Sequence, residues 1–402
     1  MAIEREQMMR DGEQLGDGDP VQRARALIPL LNDAASRIEA AREMPADVLA
    51  ALHAARMFRV MLPESLGGDE ASLKTFSEVI EALSMGDASA AWVVSQGGGC
   101  AMGASFLQAQ AAERWFGPAD AALAWGAGIA GKAVEVNGGY RVTGTWAFAS
   151  GSRHATLLGG HSFVFQADGS KRLRANGRQL DRTVLIRRDQ AEISDVWNVM
   201  GLNGTGSDTF TVTDLFVPKA DSIDREDDAE RVERGALYAL SATLAYGVGF
   251  ASLQLGIART MVNAVHDLAM TKTPRGAPSP LRENPVFQKE LAEMEGRLRS
   301  ARAYLHAAAD EIQAIAVRDG ELDLTARSDI KLASVHVIHD AVRVTEAAYR
   351  AAGSTAIFKD GPFERRLRDA LSASQQTQAR TQNFVTIGRI LLDLEPDSVA
   401  FL

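Results

Sequence analysis

Cysteine is almost absent from this chain, since Cys100 is the only one among 402 residues. A single thiol excludes an internal disulfide framework and leaves too few thiolates for a zinc or iron–sulfur site. The seven histidines show no spacing typical of a metal site either. We therefore expect no metal. The low cysteine content indicates a reducing compartment, and the cytoplasm is the predicted location.

An excess of basic residues is also missing, because 43 Lys and Arg stand against 52 Asp and Glu, a formal net charge of −9. Such a charge disfavours nucleic acid or an anionic membrane surface as a partner. Residues 1–20 lack the apolar segment of a signal peptide, so we predict a disordered or frayed tail there. Residues 88–112 and 235–258 carry no charge over a membrane-spanning length, but their small polar residues favour buried helices of a soluble protein.

Three parts of different character follow the tail. Residues 21–120 predict a helical domain, because apolar residues recur at three- and four-residue spacing. Residues 121–225 predict a β domain with a hairpin turn at Asn137 and Gly138. Residues 226–402 predict a four-helix bundle, in which one long helix begins at Asn284 and Pro285. The fold class is thus α+β, mostly α, with a β-barrel-like or sandwich domain between two helical domains.

Several local patterns are better explained by structure than by chemistry. The run GAGIAG at residues 126–131 matches a dinucleotide fingerprint, but a predicted strand follows it where that fingerprint needs a helix. The acidic run at residues 224–234 is typical of a solvated linker. In the predicted strand at residues 209–218, Phe210 and Val212 should face a core, joined by Leu215 or Phe216 after a change of register.

Candidate chemistry is concentrated in two short segments. His154 is a candidate catalytic base, because histidine titrates near neutral pH without perturbation, although a lone histidine is more often structural. Ser150, Thr205 and Ser207 supply neutral hydroxyl groups beside glycines, where a cofactor can approach the backbone closely. The alternative reading of these residues is a turn that needs glycine for its conformation.

Four segments resemble the acyl-CoA dehydrogenase superfamily, in that family's order and over nearly the whole chain. They are residues 58–92, 138–155, 201–218 and 352–369, which include the runs MLPESLGG, WAFASGSRHA, GLNGTGSDTF and FERRLRD. The resemblance implies a flavin site with Phe148, Ala149 and Ser150 against the isoalloxazine ring and Ser150 near N5. The further residues assigned by it are Gly204, Thr205, Ser207, Phe287 and Arg368 for the cofactor and Trp92, Gln96, Phe358 and Gln376 for the substrate.

A dehydrogenase of this family needs a carboxylate to remove the proton next to the thioester, usually a Glu shortly after an Arg–Asp pair. Here no acid follows Arg368 and Asp369 before Asp393, and Thr377 stands near the expected position. Asp267, on an earlier predicted helix, is the nearest alternative. The runs at residues 146–151 and 197–207 instead resemble the oxygenase components of two-component flavin-dependent monooxygenases, known as group D.

That branch implies an enzyme whose flavin arrives reduced, as FADH2 or FMNH2, by diffusion from a separate NAD(P)H-dependent flavin reductase. The reduced flavin reacts with O2 through a C4a-hydroperoxide and oxygenates a small molecule, while the protein excludes water and hydrogen-bonds N5 through Ser150. The family also implies a homotetramer, and the uncharged stretch 235–258 is expected to be hard to bury in one subunit. An acyl-CoA dehydrogenase with a relocated base and a non-catalytic flavin-fold binding protein are the alternatives.

The substrate class follows from two missing histidines. Phenol-hydroxylating members resemble one another in His residues where this chain reads SQGGGCAM, at residues 95–102, and SASQQTQ, at residues 372–378. Phenols react best as phenolates, whereas an indole, thioether or amine is nucleophilic when neutral. Gln376 in place of the second His therefore favours a small heteroaromatic, indole-like, or heteroatom-containing substrate.

Overall fold

The structure is a computed structural model, and residues 18–398 are described. Most of the tail predicted for residues 1–20 lies outside these residues. The α-helices between residues 18 and 398 are α1 (Pro20–Ala26), α2 (Ile28–Ala41), α3 (Ala46–Ala54), α4 (Leu73–Gly86), α5 (Ala88–Ala101), α6 (Ala109–Phe116), α7 (Ala242–Thr271), α8 (Pro285–Asp319), α9 (Leu324–Ala352), α10 (Glu364–Ala373) and α11 (Gln382–Leu391). The strands are β1 (Leu123–Trp125), β2 (Gly131–Val136), β3 (Gly139–Ala149), β4 (Leu157–Phe165), β5 (Asp181–Arg187), β6 (Glu192–Ser194), β7 (Asp208–Pro218) and β8 (Ser222–Ile223).

Three of the N-terminal helices begin where a side chain satisfies a first backbone N–H group. Asp19 caps α1, Ser72 caps α4, and Asp87 caps α5 by accepting a hydrogen bond from the Ala90 N–H at 2.9 Å. Pro45 directly precedes α3. Helix α5 buries nearly all of its length and packs on α4, so this domain supplies a rigid wall for the site described below.

The strands form one sheet in the order β6-β7-β3-β2-β4-β5-β8, with β1 parallel to β4. Strands β2 and β3 pair antiparallel across Asn137 and Gly138, which confirms the predicted hairpin. Trp146 on β3 and Phe210 on β7 stack at 5.0 Å between ring centroids in the core of the sheet. The pairing of β3 with β7 shifts register near Val142, and beyond that shift Leu215 packs on the core while Phe216 is exposed.

The C-terminal part contains three long helices, α7, α8 and α9, followed by the ten-residue helices α10 and α11. The fourth long helix expected from the sequence is therefore replaced by two short ones. Asn284 caps α8 as predicted, accepting from the Val286 N–H at 2.9 Å, and Pro285 opens the helix. The predicted fold class, mostly helical with a central sheet, is confirmed.

The uncharged stretch that includes the start of α7 is buried within a single subunit. Every residue from 244 to 258 is buried. Glycines make this possible, because a side chain at Gly249 or Gly256 would overlap Ser95 or the backbone of Glu81. Within residues 18–398 no helix is both long and apolar enough to cross a membrane. The expectation that this stretch is hard to bury in one subunit was wrong.

The acidic run at residues 224–234 is only partly the solvated linker that its composition predicts. Asp224 is 4% exposed and pairs with Arg174 at 2.7 Å, and Glu230 pairs with Arg182 at 2.8 Å. Residues 226–229, between these pairs, are exposed. The composition of the run could not show that Asp224 and Glu230 are ion-paired, because the partner arginines lie about 50 residues earlier in the chain.

The glycine run at residues 126–131 leads into β2, a strand, so the dinucleotide fingerprint is rejected.

Candidate active site

Phe148 lies near the end of β3, where the register of its pairing with β7 shifts between Trp146 and Ala149. Its φ of 58° is in the left-handed region, which is rare for an aromatic residue, and its ring is 62% exposed. The Trp197 ring meets it edge-on with 6.1 Å between centroids. A strained residue at a bulge that holds an aromatic ring outward is typical of a binding site. The exposed face fits a flat ligand.

Two residues further on, Ser150 is buried in a chain of hydroxyl groups. Its Oγ accepts a hydrogen bond from Trp92 Nε1 at 2.9 Å and lies 2.7 Å from Ser207 Oγ. Ser207 Oγ lies 2.8 Å from Thr205 Oγ1, which donates to the Leu202 carbonyl at 2.9 Å. We call this set, from Trp92 through Ser150, Ser207 and Thr205 to Leu202, the hydroxyl chain. It joins helix α5, the end of β3 and the loop before β7.

That loop is fixed by two residues in the middle of α10, Arg368 and Asp369. The buried Asp369 carboxylate accepts a hydrogen bond from the Leu202 N–H at 2.7 Å, and Arg368 donates to the Met200 carbonyl at 2.7 Å. Arg368 also pairs with Glu39 and Glu364, each at 2.7 Å. Burial raises the pKa of Asp369 to about 7, and the nearby Asp87 adds to this effect. In these contacts Arg368 orders the loop, and its predicted contact with a cofactor stays a prediction.

Asp208 fixes the other side of the loop and was missed in the sequence. Its carboxylate accepts hydrogen bonds from the Val196 and Trp197 N–H groups at 3.0 and 3.1 Å, and pairs with Arg153 at 2.7 Å. These contacts hold Trp197 beside Phe148. A signal for it was present in the sequence, since an acid directly follows Ser207 at the first residue of a strand. A carboxylate buried there needs several hydrogen-bond or ionic partners.

His154 lines the same cleft as Ser150. The cleft is partly open to solvent and is bordered by Phe58, Val93 and Gly97 from the helical domain. Burial, with positive charge nearby, lowers the pKa of His154 to about 4, and its Nδ1 is buried without a hydrogen-bond partner among the described residues. His154 is therefore neutral at pH 7 and only a weak base. Its catalytic role stays a prediction.

The predicted substrate residues are not all brought together. Trp92 stacks on Phe250 at 4.2 Å and its Nε1 is occupied by Ser150, so it positions that serine. Gln96 is half-buried one turn further along α5. Gln376 has a buried Nε2 without a partner among the described residues, a free donor beside α10. Phe358 is 60% exposed in the segment between α9 and α10.

Two predicted cofactor residues have other roles in this subunit. Phe287 is buried in the helical core at the start of α8. Gly204 lies against the N-terminal domain, where an added Cβ would overlap the Ile38 side chain and come within 2.9 Å of the Ser89 Cβ. Glycine at position 204 is thus required by packing, which the sequence could not distinguish from close approach to a ligand. Cofactor contact by either residue stays a prediction.

Gly204→Ala is expected to lower the free energy of unfolding by about 1–3 kcal/mol, because the methyl group forces the loop away from the helical domain. Scanning calorimetry measures this as a fall in Tm. Gly296→Ala is the matched control, since nothing lies within 4 Å of a Cβ there and alanine favours the helix α8. Equal Tm changes in the two variants would contradict the packing role of Gly204.

Comparison with known families shows which protein family the chain belongs to. Residues 24–119 match the family described as "Acyl-CoA dehydrogenase, N-terminal domain", and residues 248–380 match "Acyl-CoA dehydrogenase, C-terminal domain". Together the two matches cover more than half of the chain. The chain belongs to the acyl-CoA dehydrogenase family. The resemblance stated from the sequence motifs is thereby confirmed.

The similar proteins include monooxygenases. Indole-3-acetate monooxygenase of Pseudomonas putida is 28% identical over 88% of this chain and 89% of its own length. The oxygenase subunit HsaA of a flavin-dependent monooxygenase from Rhodococcus jostii (strain RHA1) is 28% identical over 87% of this chain and 92% of its own. The structure of XiaF from Streptomyces sp. in complex with FADH2 and glycerol superposes with a TM-score of 0.86 at 23% identity, covering 98% of each chain, and shows the shared fold.

Proposed function

We infer that this member of the acyl-CoA dehydrogenase family is the oxygenase component of a two-component flavin-dependent monooxygenase. It uses reduced flavin, FADH2 or FMNH2, and O2 to oxygenate a small organic substrate. The observation that carries this inference is the pairing of an outward, strained Phe148 ring with a buried serine hydroxyl two residues later. When bound, reduced flavin supplies the electrons that activate O2.

The residues around the cleft fit a flavin ring. Phe148 offers an exposed aromatic face for stacking, and Ser150 offers a neutral oxygen that is held in place from two sides. Trp92 and Phe250 form a stacked apolar wall behind Ser150, which excludes water from the reacting edge of the ring. Ala149, between Phe148 and Ser150, is the further residue proposed to contact the ring.

The dehydrogenase alternative lacks a base in the structure. The residues that line the cleft, where they are described, include no acid. Asp369 is committed to the Leu202 N–H, and no acid follows it before Asp393. The side chain of Asp267 is 81% exposed and pairs with His266 on the outside of α7. Without a carboxylate near the cleft, removal of a proton next to a thioester is not supported.

The same argument bears on the substrate. A phenol needs a base to form a phenolate, and His154 with a pKa of about 4 is too weak for that role at neutral pH. We propose a small heteroaromatic, indole-like, or heteroatom-containing substrate, which is nucleophilic when neutral. The proposed polar contacts for it are the Gln376 amide N–H, which has no partner within residues 18–398, and the half-buried Gln96, with Trp92 and Phe358 as apolar contacts.

The partners and location remain proposals. A separate NAD(P)H-dependent reductase would supply the flavin by diffusion, as the name of the HsaA relative, an oxygenase subunit, supports. The proposed location is the cytoplasm, in line with a single cysteine, Cys100, that is buried and forms no disulfide.

The proposed homotetramer is supported by exposed apolar side chains at the end of α11, including Leu391 and Leu392. Light scattering on a sizing column measures the subunit number.

One experiment tests the function. The protein is mixed with chemically reduced FAD or FMN and indole, then exposed to ¹⁸O2, and the product is analysed by mass spectrometry. An indole product carrying one ¹⁸O atom is the expected result, together with tighter binding of reduced than of oxidised flavin. Release of H2O2 alone with indole, thioether and amine substrates would support a non-catalytic flavin-binding protein. The dehydrogenase would be supported if the protein bound oxidised FAD tightly and an acyl-CoA bleached that FAD under anaerobic conditions.

A further inference from the structure

The direction of every hydrogen bond in the hydroxyl chain can be deduced from its ends. A carbonyl oxygen only accepts, so Thr205 must donate its single hydroxyl proton to Leu202. Thr205 Oγ1 can then only accept from Ser207, and Ser207 Oγ can only accept from Ser150. At the other end the indole N–H of Trp92 only donates, so it occupies one lone pair of Ser150 Oγ.

Ser150 is left with one hydrogen-bonding role toward a ligand, that of an acceptor. Its proton is committed to Ser207 and one lone pair to Trp92, so its second lone pair is available and it presents an acceptor to a ligand. Reduced flavin carries a hydrogen on N5 and is a donor at that atom. Oxidised flavin has only a lone pair on N5 and needs a donor. Reduced flavin therefore requires a hydrogen-bond acceptor at Ser150, whereas oxidised flavin requires a donor there.

We propose that the hydroxyl chain selects the reduced flavin by holding Ser150 as a hydrogen-bond acceptor, with Thr205 and Ser207 as the residues that set this direction. The proposal rests on the proposed function, since it places N5 at Ser150. Thr205 and Ser207 are positioning residues that act through Ser150. In this way they let an oxygenase take up reduced flavin and release the oxidised form.

Binding of oxidised flavin requires the whole chain to reverse. Ser150 would donate to N5, Ser207 to Ser150 and Thr205 to Ser207, so the bond from Thr205 to the Leu202 carbonyl would be lost. That carbonyl keeps the indole N–H of Trp197 at 3.0 Å, so the reversal is possible but unfavourable. One lost hydrogen bond corresponds to an about 2- to 10-fold weaker binding of the oxidised form.

Thr205→Val tests the proposal because valine has the same shape and no hydroxyl. Without an acceptor at position 205, the Ser207 proton turns to Ser150, and Ser150 is then free to donate. We expect the ratio of the dissociation constants for oxidised and reduced flavin to fall about 2- to 10-fold. The ratio is measured anaerobically by ultrafiltration, with oxidised and dithionite-reduced FAD and FMN. Ser207→Ala should shift it in the same direction, and Thr205→Ser, which restores the hydroxyl, should not.

The outcomes separate this inference from the proposed function. Ser152→Ala is the matched control, because Ser152 is buried in the same turn but donates to the Gly206 carbonyl outside the hydroxyl chain. If the wild type prefers reduced flavin and Thr205→Val and Ser207→Ala keep that ratio, the inference is overturned while the proposed function stands. A wild type that binds neither flavin would overturn both. Should Thr205→Val fail to fold, Ser207→Ala alone carries the comparison.

Discussion

Ser150→Ala is expected to keep consuming O2 in the presence of reduced flavin while the product formed per O2 falls about 10- to 100-fold. The hydroxyl, held by Trp92 and Ser207, is the group that we propose hydrogen-bonds N5, and its removal leaves the flavin edge without a fixed partner. Oxygen uptake then proceeds to H2O2. An oxygen electrode and a peroxide assay, run with indole and chromatographic quantification of its product, measure both quantities.

The control for this variant is Ser152→Ala, a loss of one buried serine hydroxyl in the same turn. It should retain the wild-type yield of product per O2. Ser150→Ala also leaves Trp92 Nε1 without its acceptor and Ser207 with only its bond to Thr205, so a loss of stability of about 1–3 kcal/mol is expected alongside. Tm values for both variants establish that the assays compare folded proteins. An unchanged product yield in Ser150→Ala would rule out its role at N5.

Asp369→Asn is expected to raise Tm at pH 8 and to have a much smaller effect at pH 5. Burial holds the pKa of this carboxyl at about 7 in the folded protein, whereas an exposed aspartate ionises near pH 4. Between these values the folded state binds a proton that the unfolded state has lost, so stability falls as pH rises from 4 to 7. Asparagine removes that titration and keeps an oxygen for the Leu202 N–H. The expected gain at pH 8 is on the order of 2–4 kcal/mol.

Asp47→Asn provides the comparison of opposite sign. Asp47 pairs with Arg37 at 2.7 Å on the surface, and this arginine lowers the pKa of the carboxyl. The stability supplied by such a group is present above its unfolded pKa and is lost as pH falls, so its removal should bring no gain at pH 8. Scanning calorimetry at pH 5 and pH 8 measures all three proteins. A Tm change for Asp369→Asn that is the same at both pH values would contradict the raised pKa.

The local features of the fold were predictable because each depends on a few adjacent residues. The hairpin at Asn137 and Gly138 and the start of α8 at Asn284 need only the conformational and hydrogen-bonding preferences of those residues. The fourth long helix was not predictable in this way. The segment divides into α10 and α11 where the Gln376 side chain accepts a hydrogen bond from the Gln378 N–H at 2.6 Å.

The sequence by itself determined the family, the Phe148 and Ser150 pair, and the absence of an acid between Asp369 and Asp393, because these are statements about residue identity and order. Only the tertiary structure decided which partners those residues have. Trp92 donates to Ser150 from 58 residues earlier, and Asp369 accepts from Leu202 across 167 residues. The direction of the hydroxyl chain and the low pKa of His154 follow from such contacts and from loss of water on burial, which depend on packing between elements far apart in the chain.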